Sequence, residues 1–196
     1  MISLPSEAAQ ARRQPVLVGI DPALTNTGIV INTGRERIAV TVKSAAIPRG
    51  DRNPHGHSSR IERTAAQIVE KVPLGALVAI EGPSYMSKYG SPDERAGLRW
   101  SIIARLRVMG CRIVVITPKG GKAWLAENGN AGKDLMQARA AIVAPGLAAG
   151  EHEADAFALL SMLEYWAGVS DYEPGPKGVE AHGKVQWDHL IEGKKS

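Results

Sequence analysis

The sequence predicts a mixed α/β sheet of five strands with helices on both faces. Two observations carry that reading. Three short β segments follow one another before residue 44, separated by tight turns, as in an antiparallel meander. Two later apolar runs of five residues each come after stretches of helical periodicity, so a helical crossover joins the first hairpin to the strand at 76–80 and makes that pair parallel.

The elements read in order as follows. Residues 16–20 (VLVGI) are an apolar run ending at Asp21, and Pro22 stops regular pairing. This is a buried strand whose C-terminal end presents a carboxylate. After the turn at 23–27, residues 28–31 (GIVI) open a second strand, and Asn32-Thr33-Gly34 is a hairpin-type turn. Residues 37–43 (RIAVTVK) alternate and form a third strand. Residues 48–59 read as a polar loop, and from Ser58 the pattern turns helical, with Ile61, Ala65, Ile68, Val69 and Val72 on one face. Residues 76–80 (ALVAI) are a second buried strand, ending at Glu81 and broken by Gly82 and Pro83.

A polar loop runs through Pro92. Asp93 then suits the N-cap of a helix ending near Gly110. Leu98, Ile102, Leu106 and Met109 make one apolar stripe on it, and Trp100, Ile103 and Ala104 a second. Either one domain covers both stripes or the second meets a partner. Residues 112–116 (RIVVI) are a fifth strand, Pro118 opens a short helical segment, 129–132 is a loop, and 133–143 is helical. The last long helix spans 151–167. Beyond Gly168 the chain turns polar, with Pro174, Gly175 and Pro176, and reads as a mobile tail. The expected organisation is a flexible lead-in (1–14), one domain (15–168) and a polar C-terminal tail (169–196).

The 196 residues suit one domain with a tail. With aromatics at only 5%, the core must be built mostly from Ala, Val, Ile and Leu. Cys111 is alone, which precludes an internal disulfide and fits a reducing compartment. The N-terminal stretch has no apolar signal core, and no apolar run is long enough to span a bilayer. A cytoplasmic protein without membrane partners is expected. A net charge of +4 leans towards a polyanionic partner, and residues 119–139 are mostly cationic.

Asp21 and Glu81 occupy equivalent places on two strands. The C-terminal ends of parallel strands are where ligands bind. If these strands are neighbours, two unpaired anions lie close together and a cation is expected between them. The plainer alternative is that each acid caps a loop or pairs with an arginine. The last helix adds His152 and Asp155, three residues apart and so on one face, with Glu153 rotated roughly 100° away. Oxygen ligands suit Mg²⁺ or Mn²⁺, and one imidazole tilts the balance towards Mn²⁺.

These segments resemble a known family. Val18-Gly19-Ile20-Asp21-Pro22-Ala23 through Gly28, then Ala79-Ile80-Glu81-Gly82, then His152-Glu153-Ala154-Asp155-Ala156 are similar to the three acidic motifs of the RuvC family. Those are Holliday junction resolvases with an RNase H-like fold. Gly129-Asn130-Ala131-Gly132-Lys133, with Lys122 upstream, is similar to the family's Lys-rich segment. There are two departures: Tyr85 stands one position later than the usual aromatic, and His152 stands where many members carry Asp. The resemblance implies a metal-dependent endonuclease for branched DNA that leaves 5′-phosphate and 3′-hydroxyl ends. Asp21, Glu81, Asp155 and His152 would bind two Mg²⁺ or Mn²⁺ ions, and Lys122 and Lys133 would meet the phosphate. Lys119, Lys122, Lys133, Arg139 and Tyr85 would contact DNA, with Tyr85 stacking on a base unless it merely packs in its loop. A homodimer through the 93–110 helix is also implied.

Two other readings stand beside this one. Gly19-Ile20-Asp21 to Gly28 also resembles the first phosphate loop of the actin-like ATPases, but a second Gly-rich phosphate loop is missing from the sequence. A catalytically silent junction-binding module is the other, and the full set of acids and lysines argues against it.

Overall fold

The computed structural model describes residues 15–46, 53–83, 91–148 and 150–191. Tyr85 and the lead-in lie outside the described residues. Five strands form one sheet in the order β3-β2-β1-β4-β5. They are β1 (Leu17–Asp21), β2 (Asn26–Asn32), β3 (Arg37–Lys43), β4 (Leu77–Glu81) and β5 (Arg112–Ile116). The first three pair antiparallel, while β1–β4 and β4–β5 are parallel. The expected mixed sheet is therefore present.

The central strands β1 and β4 are apolar up to their C-terminal acids because both of their faces are covered. On one face Val18, Ile20, Ile29, Val78 and Ile80 pack on helix α1 (Pro54–Glu70) and helix α2 (Pro92–Val108), meeting Ile68, Leu98, Ile102 and Leu106. On the other, Leu17, Val30, Leu77, Ala79 and Val114 meet α3 (Pro118–Ala126), α4 (Lys133–Val143) and α5 (Glu151–Trp166). Trp124 is fully buried there, and its Nε1–H donates to Ser161 Oγ at 3.1 Å. Among the described residues, no helix is long and apolar enough to cross a membrane.

Three expectations change. Helix α1 starts at Pro54, four residues before Ser58, because Asn53 caps it by accepting the His55 N–H at 3.1 Å and proline suits the first helical position. Helix α2 likewise starts at a proline, Pro92. Its N-cap is Ser91, without a side-chain cap bond, and Asp93 sits inside the first turn, where it still favours the helix dipole. Gly110 stops this helix with a φ of 73°.

The third change concerns the segment beyond Gly168, expected as a mobile tail. Over residues 169–191 it folds into α6 (Pro176–Gly183) and a 3₁₀ turn (Trp187–Leu190). Leu190 is fully buried, Trp187 stacks on Trp166, and the Tyr172 hydroxyl donates to the Trp124 carbonyl at 3.1 Å. Glu127 pins the start of α6 by accepting the N–H groups of Lys177 (3.0 Å) and Gly178 (2.9 Å). Polar composition hid a few well-spaced apolar anchors.

Candidate active site

The register Ile20↔Ile80 places Asp21 and Glu81 side by side at the C-terminal ends of β1 and β4. Neighbouring strands lie ~4.8 Å apart, so the two carboxylates share one edge of the sheet. The first turn of α5 descends onto that edge, and two glycines make this possible. A Cβ at Gly19 would run into the Ala156 carbonyl, and one at Gly28 into the His152 carbonyl. With hydrogen atoms there instead, α5 lies directly on β1 and β2. His152 Nδ1 then stands 3.5 Å from Asp21 Oδ2, and Asp155 lies one turn further along the helix.

The charges of these acids act on one another across the site. Burial, and then the charges of Asp21 and Asp155, hold the Glu81 carboxyl well above the usual carboxylate range, with Lys122 and Arg95 pulling the other way. Burial and then Asp21 push Asp155 up to about 6, again opposed by Lys122. The Asp21 carboxylate raises the His152 imidazole. Among the described residues, neither Glu81 nor Asp155 has an ion-pair or hydrogen-bond partner from its side chain. Among the same residues, no three His, Cys, Asp or Glu side chains already form a metal-ligand cluster. The donor set nevertheless fits a divalent cation: three carboxylates whose charges disfavour one another, plus an imidazole.

Glu153 takes no part in this group. Its carboxylate turns away to accept from the Thr41 hydroxyl on β3. Of the predicted cations, Lys122 lies close enough to act on both Glu81 and Asp155. Lys133 pairs with Glu151 at 2.6 Å, just outside the carboxylate group. Lys119, three residues before Lys122, is exposed on α3. Arg139 Nε donates to the Leu125 carbonyl at 3.1 Å and braces α4 on α3.

Sequence reasoning missed two arginines. Arg95 and Arg99, one helical turn apart on α2, line a cavity of about 130 Å³ with Glu81, Gly82 and Pro83. Their (i, i+4) spacing beside a strand-end acid was the available signal. It missed Gly19 and Gly28 as well, although an isolated glycine inside an apolar strand often marks a close backbone approach.

A five-stranded mixed sheet with strand-end acids under the first turn of a covering helix defines a RuvC/RNase H-like α/β fold. Among solved structures, the chain is similar to RuvC of Thermus thermophilus, with a TM-score of 0.55 and 19% identity over 82% of this chain and 99% of that one. It is similar also to Thermus thermophilus RuvC in complex with a Holliday junction substrate, with a TM-score of 0.57 and 19% identity over 83% of this chain and all of that one. At the level of sequence, no protein-family model matches the chain, and no curated protein does.

Proposed function

We propose that the protein is a metal-dependent endonuclease that resolves Holliday junctions or related branched DNA in the cytoplasm, leaving 5′-phosphate and 3′-hydroxyl ends. The observation that carries this is the group Asp21, Glu81 and Asp155, with His152, at one sheet edge and next to Lys122. The Thermus neighbour in complex with a junction supports the substrate class.

Asp21, Glu81, Asp155 and His152 would hold Mg²⁺ or Mn²⁺. When bound, a pair of such ions activates water and stabilises the leaving oxygen of a phosphodiester. The chain's own residues do the rest. Asp21 neighbours Glu81 on the sheet and His152 and Asp155 on α5, so it is the residue that can serve both halves of the site. Lys122 faces the same space and opposes the charge of the incoming phosphate. Lys133 would exchange Glu151 for a phosphate oxygen. Arg95 and Arg99 offer guanidinium groups suited to paired contacts with phosphate. Tyr85, four residues after Glu81, would stack on a base near the branch point.

Paired cuts need two sites, and a homodimer through the 93–110 helix would supply them. On α2 the stripe Leu98, Ile102 and Leu106 is buried in the chain's own core, and Ile103 is buried too. Trp100, Ala104 and Val108, at successive four-residue steps, remain exposed and would form the contact.

The test is cleavage of four-way, three-way, fork and linear DNA with and without Mn²⁺. Wild type should cut branched substrates only with metal. Asp21→Asn should bind junctions with near wild-type affinity and cut none, because it removes metal-binding charge and leaves the basic surface. Cleavage by Asp21→Asn at the wild-type rate would overturn the assignment.

A further inference from the structure

The folded C-terminal segment builds a second wall beside the site. Helix α6 lies against α3, and between them runs a groove with a volume of about 260 Å³. Thr117, Lys119 and Gly129 line one side, and Lys177, Glu180 and Lys184 the other. Thr117 directly follows Ile116, which pairs with Glu81 across the β4–β5 ladder. The groove therefore opens on the same sheet edge as the carboxylates. Lys119 and Lys122 lie three residues apart on α3 and so share a face, and Lys122 acts on Glu81 and Asp155. Lysines thus stand beside the carboxylates (Lys122), on the groove's α3 side (Lys119) and on its α6 side (Lys177 and Lys184).

The lining chemistry selects the ligand. Three ammonium groups meet one carboxylate, that of Glu180, which pairs with Lys184. Among the described residues, no carboxylate pairs with Lys119 or Lys177. Among the described residues, no aromatic side chain lines the groove, so these residues offer nothing for a base to stack on. Ammonium groups without a reader of base edges fit sugar-phosphate backbone. The α6 N-terminus adds no anion site of its own, because Glu127 already accepts its first free N–H groups.

We infer that the α3–α6 groove holds the phosphate backbone of a duplex arm leaving the branch point, with Lys177 and Lys184 as its outer contacts. This deepens the nuclease reading and rests on it. The C-terminal segment thus enlarges the DNA footprint and takes no part in the chemistry.

The experiment measures binding of the full-length protein to a fluorescent four-way junction in EDTA across a salt series. Lys177→Gln with Lys184→Gln should weaken binding about five-fold per lysine near ~0.15 M salt. The slope of log affinity against log salt should become shallower by about 0.9 per lysine. Glu180→Gln removes the carboxylate that lines the groove and should tighten binding, an effect that misfolding cannot mimic. If wild type binds the junction but the double lysine variant matches it in affinity and slope, the groove assignment is overturned and the nuclease reading stands. If wild type fails to bind or cut branched DNA, both fall.

Discussion

Asp155→Asn should make the metal-free protein more stable. An aspartate in an unfolded chain titrates near ~3.9, whereas Asp155 in the fold is pushed up to about 6, first by burial and then by Asp21. The sign follows from linkage. A carboxylate whose folded value is raised destabilises the fold wherever it is ionised, and that cost vanishes as pH falls below the unfolded value. At neutral pH the difference of about two units, at ~1.4 kcal/mol each, amounts to about 3 kcal/mol. Asparagine keeps the shape and removes the charge. It also removes one of the two anions acting on Glu81.

For a domain of this size, each kcal/mol moves the melting temperature by roughly 2–4 °C, so a rise of about 6–12 °C is expected. Thermal unfolding in EDTA measures it. The gain should be full above about pH 6 and should disappear below about pH 4, where the wild-type carboxyl is already neutral. Adding Mn²⁺ should raise the wild-type melting temperature and move the variant's far less, because a ligand stabilises only the state that binds it. A variant that melts at or below the wild-type temperature in EDTA at neutral pH would refute the reasoning.

Four further outcomes are expected. His152→Asp should narrow an activity gap in which Mn²⁺ outperforms Mg²⁺, since it restores an all-oxygen donor set. In wild type, metal affinity should fall with decreasing pH, as a proton held by the Asp21-raised imidazole competes; calorimetric titration with Mn²⁺ at two pH values measures this. Gly28→Ala should destabilise the fold by about 3 kcal/mol or more and abolish cleavage, because its methyl group would displace α5 at His152; chemical denaturation and a cleavage assay report the two effects. Glu127→Ala should cost about 1–2 kcal/mol in denaturant unfolding, the usual loss for a removed helix cap.

Much of this was legible in the sequence, for specific reasons. β3, β5 and α4 fall where alternation, apolar runs and helical spacing place them, because each carries a local pattern that its tertiary setting does not contradict. The pairing of Asp21 with Glu81 was legible because both acids end apolar runs and are followed by chain breaks. Contacts between distant segments were not. Nothing near Glu127 announces that it caps a helix fifty residues later. Pro174-Gly175-Pro176 reads as a breaker, yet Pro176 is the first residue of α6, the place where a proline costs a helix nothing. The start of α1 was lost in the same way at Pro54.

Helix α5 shows why the unpartnered acids, and not simply the buried ones, mark the site. Glu164 lies near its C-terminal end and is almost fully buried, where an isolated carboxylate would be costly. It is fully answered: Arg37 donates to both of its oxygens at 2.9 and 3.0 Å, and Asn32 Nδ2 donates at 2.6 Å. Asp171 holds the far side of the same guanidinium. That acid ties the helix to β2 and β3 through three hydrogen bonds. About two and a half turns earlier, Asp155 faces Asp21 and Glu81 with no such partner among the described residues, and Lys122 offsets only part of their mutual repulsion. A fold that could complete an Arg–Glu–Asn–Asp cluster at one end of a helix had the means to neutralise the other end. Under the proposed function, three carboxylates held together against their mutual repulsion are what a site looks like when its missing charge arrives from solution.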